Sequence, residues 1–238
     1  MAEKTQVRNM FNNIARRYDF LNHFLSIGID RLWRKRVIKI LKEYNPKTIL
    51  DVATGTGDLA IAEIALKPQK IVGVDIAVEM LQVADKKIAE KKLDDIITLE
   101  EGDSENLRFE NNSFDAVTVA FGVRNFEHLD KGLAEMYRIL DDNGVAVILE
   151  FSKPTIFPIK QVYNLYFKYI LPLLGKIISH DEFAYTYLPN SVKKFPDGDD
   201  FINELTTAGF KNTSIKKLSC GIASIYTAQK IGVSKVKN

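Results

Sequence analysis

Two periods of hydrophobic residues succeed one another along the chain. Near the start, apolar residues recur at helical spacing: Val7, Met10, Phe11 and Ile14 fall on one face, and Leu32, Trp33, Val37, Ile40, Leu41 and Tyr44 on another, which predicts two amphipathic helices. From Lys47 onward apolar strands alternate with helices: TILDVA, a helix from Asp58, KIVGVD, a helix from Val78, IITLEEGD, FDAVTVAFG, a helix around Leu129 to Leu140, and GVAVILEF. Such alternation implies an α/β domain of parallel strands joined by helical crossovers. After Phe151 comes an aromatic, lysine-dotted segment, then PDGDDFINELTTAGF as a capped helix and two strands near Ile215 and Ile225. There is no internal repeat and no low-complexity linker.

Composition narrows this picture. A chain of 238 residues can bury one sizeable core and is short for two ordinary domains, so one domain with appendages is expected. Lys plus Arg number 33 against 31 Asp plus Glu, and a net charge of +2 gives no electrostatic reason to expect a nucleic-acid partner. The single cysteine, Cys220, cannot form an internal disulfide and is expected to be a packed thiol. No Cys/His spacing suggests a metal site, and the cytoplasm is the default compartment. The N-terminal run MAEKTQVRNMFNNIARRYDF is polar and mixed in charge, unlike a signal peptide. The apolar stretch from Ile156 to Ile178 is broken by Lys160, Lys168 and Lys176 and by Pro158 and Pro172, so it does not read as a membrane span. A soluble or peripheral protein is expected.

The chemistry begins in ILDVATGTGDLA, where Gly55 and Gly57 lie after a buried strand and before a helix and permit a tight turn with close backbone approach to a ligand. The spacing Gly55-x-Gly57-x-x-Ala60 also fits a dinucleotide fingerprint. Asp58 argues against a diphosphate, because it opens the helix whose N-terminal amides the diphosphate would use. Asp51, at the strand end four residues before the first glycine, suits a ligand with a cationic ammonium and sulfonium, which is S-adenosylmethionine. Asp75 ends the next strand, where one carboxylate can accept bonds from both ribose hydroxyls. Gly102-Asp103-Ser104 follows the third strand, and Asp103 can accept the adenine amino group. Any one of these carboxylates alone fits an ordinary loop or cap; the three in this order, at successive strand ends, point to the cofactor.

Through YDFLNHFLSIGIDRLW, DVATGTGD, AFGVRN and GVAVILEFSKP, the chain resembles the UbiE/MenG/Coq5 family of quinone-biosynthesis C-methyltransferases from about Val7 to Gln229. The resemblance implies a Rossmann-like class I methyltransferase fold, a seven-stranded, mostly parallel sheet with its last strand antiparallel and helices on both faces, in a single domain over 1–238. Within it, 1–45 is expected to lie over the acceptor site, 46–152 to bind cofactor, 153–196 to form an aromatic insertion facing acceptor or membrane, and 197–230 to close with a helix and strands. The implied reaction is S-adenosylmethionine-dependent methylation of a polyprenyl quinol. Demethylmenaquinol, giving menaquinol, is the first choice, and 2-polyprenyl-6-methoxy-1,4-benzoquinol, on the way to ubiquinone, is the alternative. By position the cofactor contacts fall on Thr56, Asp75, Asp103 and Ser104. Three departures stand out: Asp30 where the family often has histidine, Asp141-Asp142-Asn143 in place of Lys-Pro-Gly before Gly144, and Arg108 where proline is usual.

Methylation of an aromatic carbon requires in-line alignment with the sulfonium methyl and an electron-rich ring. Loss of a quinol proton supplies the electron density, and a cation or hydrogen-bond donor near the developing oxyanion stabilises it. Arg124 and Asn125, after the fourth strand, are the candidates, Arg124 as a fixed cation. The structural alternatives are a surface salt bridge and a helix cap. Tyr18 and Asp19 are placed to close over the acceptor, with Asp19 a candidate base; the alternative is a helix-ending turn. His23, His128 and His180 lack a constellation and read as surface or packing residues. Phe157, Tyr163, Tyr166, Phe167, Tyr169, Ile170, Leu173 and Leu174 suit a prenyl path, a bilayer contact or ordinary helical packing. Two other classes stay open: a nicotinamide-dependent oxidoreductase, favoured by the Gly-x-Gly-x-x-Ala spacing, and a binding module without activity.

Overall fold

Neighbouring residues of a strand face opposite ways, so a sheet covered on both faces needs apolar side chains at nearly every position. The protein, seen as a computed structural model, is described over residues 3–26, 28–166, 169 and 182–232. Two helices, α1 (Lys4–Leu25) and α2 (Ile29–Leu41), precede β1 (Thr48–Val52), α3 (Asp58–Glu63), β2 (Lys70–Asp75), α4 (Val78–Glu90), β3 (Ile97–Glu101) and β4 (Phe114–Ala120). Then follow α5 (Leu129–Ile139), β5 (Leu140–Phe151), α6 (Ile159–Leu165), α7 (Glu182–Lys194), α8 (Asp199–Thr207), β6 (Lys211–Leu218) and β7 (Ala223–Gln229). The sheet order is β3-β2-β1-β4-β5-β7-β6. Strands β1 to β5 are parallel, and β7 is inserted antiparallel between β5 and β6.

On one face Leu50, Val52, Val72, Val117 and Val119 pack with Leu133 and Met136 of α5 and with Phe201 and Leu205 of α8. On the other, Ile49, Ile71, Ala116, Val145 and Val147 pack with Trp33 and Val37 of α2, Leu59 of α3 and Ile88 of α4. Each fully buried aliphatic or aromatic side chain contributes about 1.5–3 kcal/mol, so these two layers carry the stability. Lys211, Lys216 and Lys217 stand exposed on the edge strand β6 and discourage further strand pairing. Among the described residues, no helix is long and apolar enough to cross a membrane.

Several expectations change at the elements' edges. The first helix runs through Tyr18 and Asp19 to Leu25, so neither residue sits in a helix-ending turn. Leu32 is 62% exposed and Tyr44 also faces outward. The buried face of α2 instead carries the charged Asp30 and Arg34 beside Trp33, Val37 and Leu41. Cys220 is exposed rather than packed, because its tight turn before β7 adopts left-handed backbone (φ 56°). Asn143 takes the left-handed conformation (φ 67°) that glycine usually supplies and asparagine tolerates, so the Asp141-Asp142-Asn143 departure costs the fold little. His128 precedes α5 and is exposed, with Nδ1 2.9 Å from Glu105. Phe167, Ile170, Leu173, Leu174 and His180 lie outside the described residues, as does the side chain of His23.

Gly132 in α5 offers a test of this packing. A β-carbon there would sit 2.3 Å from Cδ2 of the buried Phe126 ring, which lines the central cleft. Gly→Ala inside a helix ordinarily stabilises by up to about 1 kcal/mol. Here Gly132→Ala is expected to destabilise, by about 1–3 kcal/mol as in other overpacked cores. Urea unfolding reads the sign, and a raised midpoint would refute the contact.

Candidate active site

Parallel strands align their C-terminal ends along one edge, and the loops leaving β1, β2, β3 and β4 converge there. The loop after β1 is held by Asp75 at the end of β2, whose oxygens accept the Gly55 amide and the Ala77 amide, each at 2.8 Å. Burial raises the Asp75 carboxyl above the usual carboxylate range, and these amide bonds oppose the rise. Gly55 (φ 57°) bends the loop, and Ala53 (φ 53°) and Phe121 (φ 59°) adopt left-handed backbone without being glycine. Such residues cost on the order of 1–3 kcal/mol each and cluster at functional sites. Gly57 (φ 76°) starts α3 and faces Ala84 of α4, where an added β-carbon would approach to 3.2 Å. Helix packing therefore demands that glycine, and it does not line the cleft.

The cleft has two lobes. One, of about 670 Å³, is lined by Gly55, Asp75, Gly102, Asp103, Ser104 and Phe126, and is roofed by Lys4, Val7, Phe11 and Tyr18 of α1. The other, of about 390 Å³, is lined by Asp51, Thr54, Thr56, Asp58, Asn22 and Arg34. Tyr18, Ala53, Gly55, Ala120 and Phe121 border both. Asp51, Gly55, Thr56, Asp75, Asp103 and Ser104 are thus brought together as the spacing implied. Asp103 accepts Lys4 Nζ at 2.6 Å, a half-exposed pair that pins the start of α1 over the lobe at little energetic gain. Arg108, in the family's proline position, donates to the Glu101 carbonyl at 2.5 Å beside the same loop.

A string of charges holds the other end of α1. Asp19 accepts Thr56 Oγ1 at 2.5 Å and Lys87 Nζ at 2.9 Å, and Lys87 also reaches Asp58 at 2.5 Å. Arg34 joins Asp58 (3.0 Å) to Asp30 (2.5 Å), so α1, α4, α3 and α2 meet in one network. Asp30, buried, is the anion of that network where the family often has histidine. Both oxygens of Asp19 are engaged and lie outside the lining of either lobe, which removes it from the position of a base. Tyr18, one residue earlier, does face both lobes, and burial raises its phenol.

Arg124 and Asn125 occupy a single 3-10 turn after β4, and neither takes its structural alternative. Arg124 is ion-paired, but in the interior: Nη1 meets Glu150 Oε1 at 2.7 Å and the Phe121 carbonyl, and the guanidinium lies 5.4 Å from the Phe151 ring. Its charge is directed behind the cleft wall; burial raises the phenols of Tyr18, Tyr163 and Tyr187, Arg124 opposes that rise at each, and the paired Glu150 adds to it at Tyr163 and Tyr187. Asn125 lines the cleft, donates to the Phe121 carbonyl at 3.3 Å and accepts Tyr187 of α7 at 3.0 Å; α5 is entered through His128 instead. Glu150, Tyr187, Lys4 and Glu63 escaped the sequence reading. Glu150 and Glu63 had one available signal, a carboxylate in an otherwise apolar run; Lys4 and Tyr187 had none.

The sequence profile of the ubiE/COQ5 methyltransferase family matches residues 1–230. The chain is 48% identical over 226 residues to a demethylmenaquinone methyltransferase of Bacteroides fragilis, covering 94% of this chain and 92% of that one. It is 43% identical over 233 residues to a ubiquinone/menaquinone biosynthesis C-methyltransferase UbiE of Geotalea daltonii, covering 97% and 99%. Its fold is similar to the crystal structure of a putative S-adenosylmethionine-dependent methyltransferase from Methanococcus maripaludis, with a TM-score of 0.69, 19% identity and coverage of 94% and 95%. It is also similar to the [4+2]-cyclase SpnF, with a TM-score of 0.67, 17% identity and coverage of 95% and 97%.

Glu150 is fully buried, and burial raises its carboxyl although Arg124 and two backbone amides pull the other way. Removing it leaves a buried guanidinium without a counter-ion, which costs roughly 3–5 kcal/mol. Glu150→Ala is therefore expected to lower the urea midpoint steeply, with Glu150→Gln in between. A stability within about 0.5 kcal/mol of the parent would place Arg124 in solvent.

Proposed function

The chain belongs to the ubiE/COQ5 methyltransferase family, and from that premise we propose that it methylates a ring carbon of demethylmenaquinol to give menaquinol. It is a methyltransferase, and its methyl donor is S-adenosylmethionine. The observation that carries the reading is the set of carboxylates Asp51, Asp75 and Asp103 at the ends of three adjacent strands around one cleft, beneath α1.

The cleft fits that donor on its own geometry. Gly55 leaves space that nothing fills within 3.7 Å of an added β-carbon, and Asp75, which accepts the Gly55, Ala77 and Ile76 amides, keeps acceptor capacity at the cleft it lines. Asp75 would hold the ribose hydroxyls, Asp103 and Ser104 the adenine edge, and Asp51, with Thr56 beside it, the amino-acid end. When bound, S-adenosylmethionine supplies a methyl group on a cationic sulfur. The chain's own residues prepare the acceptor. Arg124 places a fixed positive charge behind Phe121, where it favours an ionised quinol oxygen, and Asn125 presents its amide at the cleft wall. Tyr18 closes the cleft from above and excludes water. The relatives' names divide between menaquinone alone and both quinones, and the 48% relative names demethylmenaquinone, so the naphthoquinol stands first.

The acceptor's prenyl tail resides in a bilayer, and the surface beside the cleft is suited to meet one. Ile156, Phe157 (77% exposed), Val162, Leu165 and Tyr169 present apolar side chains to solvent from α6 and its flanks, with Lys153 and Lys160 beside them. Lys153 is paired with Asp197 at 2.6 Å, so the surface is chiefly apolar, with Lys160 at its edge, and it suits reversible contact with lipid.

Two experiments test the reading. Methyl transfer from labelled S-adenosylmethionine to demethylmenaquinone is expected only with a reductant present, because two carbonyls withdraw the density the ring carbon needs. Equal rates without reductant would overturn the mechanism, and exclusive use of a benzoquinol would move the enzyme to the ubiquinone pathway. Sedimentation with vesicles containing phosphatidylglycerol is expected to retain the protein, and Phe157→Ser with Val162→Ser to reduce retention severalfold. Unchanged retention in the double variant would place the lipid contact elsewhere.

A further inference from the structure

Beneath the glycine loop lie two carboxyl groups that share one hydroxyl. Thr118 Oγ1, on β4, is 2.8 Å from Glu63 Oε1 and 3.2 Å from Asp51 Oδ1. Asp51 is 1% exposed, and Glu63 and Thr118 are fully buried. A threonine hydroxyl has one proton to give, and an ionised carboxylate can only accept. With both acids ionised, one of the two contacts would set lone pair against lone pair. A proton on one acid, donated to Thr118, makes both contacts full hydrogen bonds.

The remaining contacts decide which. Asp51 already accepts Thr54 Oγ1 at 2.7 Å on its other oxygen and the Ala60 amide as well, the surroundings of an anion. Glu63 Oε2 is buried without a hydrogen-bond partner, the surroundings of a neutral acid. We propose that Glu63 is a positioning residue for cofactor binding: it holds a proton that it donates to Thr118, Thr118 donates its own to Asp51, and the pair's single negative charge stays on Asp51. This rests on the reading that Asp51 meets the cationic amino-acid end of S-adenosylmethionine.

The electrostatics agree. Burial first, then the Asp51 charge, drives the Glu63 carboxyl well above the usual range, against the Thr118 bond. Burial pushes Asp51 up to about 7, with Asp75 of β2 adding to the rise and Thr54, Thr118 and Ala60 opposing it. Arg34 of α2 and Asp58 of α3, in the same lobe, are paired with each other at 3.0 Å, and Tyr18 of α1 is neutral. Binding a cation beside Asp51 then expels whatever proton Asp51 holds. Below pH 7 the cofactor should bind with release of a fraction of a proton, and about tenfold more weakly at pH 6 than at pH 8.

Infrared spectroscopy of the full-length protein at pH 7.5 tests the proton directly. A carbonyl band of a buried protonated carboxylic acid is expected in the parent, reduced in Glu63→Gln to the minor part that Asp51 itself holds at this pH, and retained in Asp51→Asn. Calorimetry with S-adenosylmethionine in buffers of different ionisation enthalpy reads the release. Glu63→Leu, which has no proton to give Thr118, should bind S-adenosylmethionine severalfold more weakly, and Glu63→Gln, whose amide N–H can replace the donated proton, should restore the parent's affinity and pH profile; equal affinity in Glu63→Leu and the parent would overturn the positioning role. Overturning results are no acid band in the parent, a band undiminished in Glu63→Gln, or a Glu63→Gln affinity curve shifted at least one pH unit downward, which would mean that a like charge had been removed. The parent's band needs no variant, so a misfolded Glu63→Gln leaves the test standing. If the parent fails to bind S-adenosylmethionine at all, the cofactor reading falls while the infrared result still judges the proton.

Discussion

The site is organised by one constraint: the glycine loop after β1 has backbone amides that must be satisfied, and Asp75 on the neighbouring strand satisfies one of them at Gly55. The same carboxylate caps the turn into α4 through Ala77. One buried group therefore fixes how the first two loops of the sheet face each other, and still turns toward the cleft. The left-handed Ala53 and Phe121 stand on either side of this arrangement, at the ends of β1 and β4, and their strain is tolerated because the paired strands behind them leave no alternative path.

Charges that sequence alone presents singly act here in connected sets. Asp58 at the start of α3 argued, as a free anion, against a diphosphate. In the fold it is bound by Arg34 and Lys87, so its charge is largely compensated, and the helix start is closed by that network rather than by repulsion. The conclusion stands on different physics. The network also explains why α1 stays over the cleft: Asp19 and Lys87 tie its C-terminal half to α4, and Lys4 with Asp103 ties its first turn to the loop after β3. Each half-exposed pair contributes at most about 1 kcal/mol, so the roof rests chiefly on apolar packing of Phe11, Ala15 and Tyr18 with Ala77 and Met80.

What could be read from the chain follows from the range of the signal. The strands were legible because burial on both faces writes an apolar run into the sequence itself, and Asp51, Asp75 and Asp103 were legible because a parallel sheet puts successive strand ends together. The direction of a side chain has no such local trace. Asp19 and Arg124 have the right residue types near the right loops, yet Asp19 turns to Lys87 and Arg124 to Glu150, partners 68 and 26 residues away. The helix-ending turn weighed for Tyr18 and Asp19 is absent: the first helix runs on to Leu25, and Asp19 is tied to α4 through Lys87, a partner no local spacing announces. Tyr187 on Asn125 depends on a helix that begins after 181, whose placement no spacing could give.

The buried carboxyls Glu63 and Glu150 pose the same question, since neither is the best way to fill a core. Replacing an ion pair by apolar groups of equal volume is often neutral or stabilising, so stability alone does not account for them. A proton held by Glu63 on folding is released by the unfolded chain above the ordinary glutamate range, so its contribution fades as pH rises toward the folded value. Both groups instead fix the charge of a residue nearer the cleft, Glu63 through Thr118 to Asp51 and Glu150 directly to Arg124. A site that must meet a cationic donor and an ionising quinol needs an anion and a cation that keep their charge, here on and behind the ends of the neighbouring strands β1 and β4. In a low-dielectric cleft each stays fixed only if a second buried group, set further back, holds it in place.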